Sequence, residues 1–187
     1  MVLAGAMNRK ERGVHIHPSA VVEGCWLREG ARVGPGAVVR GCILGPGARV
    51  EPQALAAFSV LAPGAVVQRR GWIQFGVVHE RAAVGGAMQM GVLGPEASFK
   101  HGSYLMDQNT DQSVTAMVSG RRVAAPLGLL GVGVGARTVI GSGVWVAPGR
   151  SLGPDQMILP SPDGVLVRPD ISAVGTFSVE NGCLKRL

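Results

Sequence analysis

The sequence predicts an all-β fold, a single-domain parallel β-helix wound in coils of 17–18 residues, and three observations carry that expectation. Aliphatic residues recur every 17 positions: Ile16, Val33, Val50, Val67 and Val84 form one series, Leu27, Leu44, Leu61 and Val78 a second, and Val22, Val39, Ala56, Ile73 and Met90 a third. Small residues keep the same period, as Ala31, Ala48 and Ala65 or Cys25, Cys42 and Ser59 do. With 29 glycines, 47% hydrophobic residues and only 4% aromatics, the core must be built from small and branched aliphatics, which suits closely stacked short strands and tight turns.

Between the series the steps are five, six and six residues, so each coil holds three short strands with corners on Gly, Pro or small residues. A coil of that size cannot bury its own apolar face and relies on its neighbours, which is the logic of a solenoid. The units "VGPGAV", "LGPGAR" and "LAPGAV" spell out aliphatic-Gly-x-x-small hexads of the β-helical type. Past the middle of the chain the step becomes uniform: Val134, Ile140, Val146, Leu152 and Ile158 lie six apart, giving 18 per coil. An antiparallel sandwich with turns every six residues would give no cause for a 17-residue recurrence of residue type.

In chain order, residues 1–13 read as an N-terminal tail with a dense basic cluster, Arg9, Lys10 and Arg12, and residues 14–160 as the helix. Residues 91–128 break the period, with a polar run that includes His101, Ser103, Tyr104, Asp107 and Asn109, and read as one coil followed by an extruded loop. Residues 161–187 hold D-G and N-G turn signals flanked by apolar residues, expected to form a hairpin cap over the open end. Phe58 and Phe75, 17 apart, are expected to stack.

The net charge of +6 and pI near 10.0 favour an anionic partner, but the charges are dispersed and no basic-aromatic interleaving marks a nucleic-acid surface. No apolar run is long enough to span a membrane and no secretory signal is evident, so a cytoplasmic protein without membrane or nucleic-acid partners is expected. Three cysteines without a C-x-x-C pair fit reduced thiols. His15, His17, His79 and His101 lack the H-x-x-x-x-H spacing of a zinc-binding β-helical carbonic anhydrase, so no metal is expected.

"LGPEASFKHGSYLMD", Leu93 to Asp107, resembles the motif LG-x-x-x-K-x-x-HL-[ST]-YLGD of the acetyltransferase domains of bacterial N-acetylglucosamine-1-phosphate uridyltransferases, which belong to the hexapeptide-repeat transferases. The resemblance implies a left-handed helix, a homotrimer, and transfer of an acetyl or other acyl group from acyl-CoA to an amine or hydroxyl of a sugar or sugar phosphate. It implies His101 as general base, Tyr104 as a phosphate ligand, and Ser103 and Lys100 beside them in the substrate site. Asp107 is the carboxylate available to orient the His101 ring. Arg121, Arg122, Arg137 and Arg150 are the candidates for the CoA phosphates.

The sequence departs from that pattern where the sugar would be held. Ser98 stands at the motif's first lysine, Ala87, Gln89 and Met90 replace an expected glutamate and two lysines, and Met117 stands where an asparagine is expected. These losses argue against glucosamine-1-phosphate as substrate. They leave a non-catalytic trimeric scaffold as the alternative, with Trp26, Trp72 and Trp145 as docking aromatics. The nucleotidyltransferase half of the resembling proteins has no counterpart in these 187 residues.

Overall fold

The computed structural model describes residues 7–111, 113–161 and 164–187. The described chain forms a parallel β-solenoid with no helix, and its stacking is consistent with a left-handed β-helix. The chain visits three faces in turn, and strands of adjacent coils pair in parallel to build sheets of eight, ten and eight strands. Each coil donates backbone hydrogen bonds forward to the next, as from the Trp26 N–H to the Cys42 carbonyl at 2.9 Å and from the Ile43 N–H to the Ser59 carbonyl at 3.0 Å.

The expected columns line the interior. Leu27, Leu44, Leu61, Val78 and Leu93 point inward from the first face, Val33, Val50, Val67, Val84 and Phe99 from the second, and Val39, Ala56, Ile73, Met88 and Leu105 from the third. All are essentially excluded from water, and a fully buried aliphatic of this size contributes about 1.5–3 kcal/mol. One position departs from expectation: Ile73 pairs with Met88, not Met90. The coil between them has 15 residues because two are missing from the corner between the second and third faces, where Gly85 and Gly86 alone make the turn. Met90 consequently turns outward at a corner with φ +51°.

The N-terminal segment also differs from the expected tail. Arg9–Lys10 is a strand paired in register with Trp26–Leu27. It is held by the Arg9 guanidinium 4.4 Å over the Trp26 ring, while Glu11 accepts from the Trp26 indole at 3.1 Å and pairs with Arg28 at 2.7 Å. A cation over indole and a shared carboxylate supply the partners that a loose tail would lack.

The corners fall into columns as well. Between the first and second faces the left-handed positions run Gly30, Gly47, Gly64, then Arg81, Glu96, Arg137 and Asp155, all with φ between 55° and 69°. Where side chains replace glycine they alternate in sign: Arg81 meets Glu96 at 2.5 Å and Arg137 holds both Asp155 oxygens at 2.6 and 2.7 Å. Hydrogen bonding to the arginines, then their charge, lowers both carboxyls below the ordinary range. A lowered carboxyl stabilises the fold above its unfolded pKa and loses that contribution as acid carries it through the lowered value. Arg137→Gln is therefore expected to reduce the thermal midpoint slightly at neutral pH, and the difference from wild type should vanish in acid below the carboxylate range. A difference that persisted there would show that the corner is held by something other than charge.

After Met106 the chain leaves the coil and returns at Val132, extruding an antiparallel hairpin of Thr115–Val118 and Arg121–Ala124. The expected coil-then-loop order holds, with the regular coil running through Leu105. At the far end Gly175–Glu180 pairs in parallel with Gln156–Leu159, and Cys183–Arg186 folds back antiparallel across an Asn181–Gly182 turn in which both residues have positive φ. The hairpin cap is thus formed at the N-G signal; Pro162 and Asp163 of the D-G signal lie outside the described residues.

Candidate functional site

The shortened coil creates the site. In neighbouring coils the corner between the second and third faces carries two turn residues: Arg69–Arg70 before the short coil and His101–Gly102 after it. Between these, Gly85 and Gly86 leave the corner empty, so a notch one coil high opens. It has a volume of about 390 Å³ and is lined by Arg70, Trp72, Gly85, Gly86, Ala87, His101, Gly102, Ser103, Tyr104 and Trp145.

The register decides what faces the notch. Trp72, Ala87, Tyr104 and Trp145 form one outward column of the third face. Coils lie about 4.8 Å apart, so Trp72 and Tyr104 stand roughly twice that distance from each other with only a methyl group between them. The result is an aromatic slot with a cation, Arg70, at one rim and an imidazole at the other. Arg70 is steadied by donation from Nε to Gln53 Oε1 at 3.0 Å. Gly102, with φ +76°, completes the turn that presents His101 to solvent.

The other expected site residues divide. Tyr104 lines the notch and also a second cavity of about 300 Å³ with Met106, Gln108, Asn109 and Thr110. Burial, then the charge of Asp107, raises its phenol above the ordinary value. Ser103 lines the notch, but its hydroxyl is buried and donates to the Gly141 carbonyl at 2.7 Å. The hydroxyl thus ties two coils together. Lys100 is exposed outside the notch, its backbone N–H donating to the Ile140 carbonyl.

Asp107 does not orient His101. It lies past the far end of the third-face strand, 6% exposed, and the Gln89 amide stands 3.2 and 3.3 Å from its two oxygens, in the orientation that lets the NH₂ group donate to them. Among the described residues no hydrogen bond or ion pair reaches the His101 ring, so the imidazole is free to meet a ligand.

The four arginines separate likewise. Arg137 is saturated by Asp155 at the opposite corner. Arg122 on the extruded hairpin lies near Arg150, which donates to the Thr115 carbonyl at 2.8 Å. Burial, then the charge of Arg122, lowers the Arg150 pKa, and Asp170 opposes this while pairing with Arg122 at 3.6 Å. Arg121 is exposed beside them. This group sits at the corner between the third and first faces, the full width of the third face from His101.

Sequence reasoning passed over Arg70, Gly85 and Gly86 as site residues and placed Trp72 and Trp145 only among docking aromatics. The signal was present as the 15-residue interval between Val84 and Phe99.

Solved structures share the parallel β-helical fold. No family model matches the chain, and no curated protein matches it. The crystal structure of the polySia-specific acetyltransferase NeuO is similar at 11% identity over 99% of this chain and 87% of that one, with a TM-score of 0.50. The acetyltransferase domain of PglB from Neisseria gonorrhoeae FA1090 matches at 18% identity, with a TM-score of 0.32; the match covers 98% of this chain, which spans only 58% of that one. The Arabidopsis UDP-N-acetylglucosamine acyltransferase matches at 12% identity over 94% and 73% of the two chains, with a TM-score of 0.39. At these identities the likeness is one of fold.

Proposed function

We propose that the chain transfers an acyl group from acyl-CoA to an amine or hydroxyl of a sugar or sugar phosphate bound in the notch, with His101 as general base. The observation that carries this reading is the corner missing from the 15-residue coil. It leaves His101 without a protein partner at the rim of a slot walled by Trp72, Tyr104 and Trp145. Aromatic walls suit the apolar face of a sugar ring, and Arg70 suits an anionic substituent. The NeuO acetyltransferase lends the reading a precedent in fold.

In the proposed reaction the acceptor's nucleophilic atom attacks the thioester carbonyl as the imidazole takes its proton. The C–S bond then breaks, and the same proton passes to the departing thiolate. Arg122 and Arg150 are the cations offered to the donor phosphates. Because they stand across the third face from His101, a donor touching both must run along that face or between two copies of the chain.

The test is thiol release from acetyl-CoA across a panel of amino sugars and sugar phosphates, with CoA binding measured in parallel. Turnover that requires His101 supports the reading. Silence across the panel together with no CoA binding overturns it in favour of the non-catalytic scaffold.

The homotrimer belongs to the same proposal. Its support is an apolar strip at the corner between the third and first faces, where Phe58 and Phe75 stack at 5.3 Å with φ of 47° and 52°, each more than half exposed. Ile43, Val60, Val77 and Val92 continue the strip on the first face. Bulky side chains in left-handed backbone cost about 1–2 kcal/mol each, and a contiguous exposed patch of this kind marks an interaction surface. Phe75→Asp is expected to dissociate the assembly in light scattering while leaving the thermal midpoint of the monomer unchanged or higher, since Asp tolerates positive φ better than Phe. An unchanged assembly mass would exclude the strip as the interface.

A further inference from the structure

The outward column of the second face begins His15, Arg32, Arg49, each paired in register with the next. Parallel strands hold these side chains about 4.8 Å apart on one face of the sheet. Like charges placed directly opposite destabilise a sheet, and at other stacked positions opposite charges meet: Arg40 and Glu23 at 2.8 Å, and Arg81 and Arg137 with their carboxylates at the neighbouring corner. Among the described residues Arg32 and Arg49 have no ion-pair partner and no side-chain hydrogen bond. One carboxylate, Glu51, also lines the adjoining cavity; its Oε2 accepts from the Arg69 N–H at 3.0 Å, and it makes no ion pair with either arginine among the described residues. His17 is engaged locally with the Ser19 hydroxyl at 2.8 Å.

Beside the two guanidinium groups is a cavity of about 220 Å³, its lining including His15, Arg32, Arg49, Glu51, Pro35 and Pro52, so the cations outnumber the single carboxylate. It shares no residue with the notch that contains His101. Two adjacent guanidinium forks can donate to one tetrahedral oxyanion from two sides, which offsets their mutual repulsion, and proline rings offer a flat apolar wall to whatever the anion is attached to. We infer that this cavity binds a soluble phosphomonoester or diphosphate, with Arg32 and Arg49 gripping the phosphate and Pro35 and Pro52 flanking its organic body. The ligand's place is on the outer surface of the first coils, so occupancy neutralises the stacked cations without entering the proposed reaction site.

Inorganic phosphate and pyrophosphate serve as probes, titrated by calorimetry and by thermal shift against sodium chloride of equal ionic strength. Wild type is expected to bind one pyrophosphate per chain and to gain a concentration-dependent rise in midpoint. Arg49→Gln should weaken binding about tenfold or more and abolish the rise, while its midpoint without phosphate stays equal to wild type or exceeds it as the repulsion is relieved. Arg69→Gln, an exposed arginine outside the cavity, should bind as wild type does. No saturable binding, or equal losses in Arg49→Gln and Arg69→Gln, would overturn the inference. So would binding seen only with phosphatidate-containing vesicles or with oligonucleotides, since either would assign the cations to a membrane or a nucleic acid.

Discussion

His101→Gln is expected to lower acyl transfer by about 10²–10⁴-fold, the range ascribed to a positioned general base, and to do so in kcat more than in the acceptor KM. The side chain stands at an exposed corner with no protein partner, and the turn itself is held by Gly102 and by the Gly143 N–H donating to the His101 carbonyl at 3.3 Å. Loss of the imidazole should therefore leave the unfolding free energy within about 0.5 kcal/mol of wild type, as for surface substitutions generally. A variant that turned over at the wild-type rate would remove His101 from the chemistry while leaving the notch as a binding site.

Gly86→Ala is expected to destabilise the short coil severely. A Cβ at Gly86 would stand 2.0 Å from the Ser103 carbonyl oxygen and 2.9 Å from its carbon, both backbone atoms of the next coil. That same oxygen accepts the Ala87 N–H at 3.0 Å, so the coils can separate only by breaking the ladder at the floor of the notch. A loss of about 3 kcal/mol or more by urea unfolding follows. Gly47→Ala is the control: its φ is +65° but nothing lies within 4 Å of the added carbon, so it should cost only the left-handed penalty of about 1–2 kcal/mol. Equal costs at the two positions would show that the short coil is not tightly seated on its neighbour.

The stacking was legible because its signal is redundant: Val33 over Val50 is one of many like pairs repeated at one spacing. The short coil was not, and the reason lies in strand geometry. Removing two residues keeps the in-out alternation intact, so in "AMQM" both Met88 and Met90 remain plausible inward positions and only the pairing partner decides between them. The notch followed from that same shift and stayed hidden with it. His101 and Tyr104, brought together by the resemblance, line one cavity, whereas Asp107 lies beyond the strand, where an insertion of no fixed period begins. Arg137 could have been set aside in advance, since the 18-residue step of the later coils puts Asp155 directly over it.

The reversed strand Cys183–Arg186 has a consequence for copies of this molecule meeting end to end. A stack of coils is in principle a template: its last rung offers unpaired amides that another molecule's first rung could continue, and growth of that kind has no natural stop. Here the last strand of the ten-stranded sheet runs the opposite way and carries Lys185 and Arg186, while the other edge of that sheet is the parallel strand His15–Ile16. Strand polarity mismatches on that face, so the reversed strand disfavours continuation of the ten-stranded sheet by a second copy.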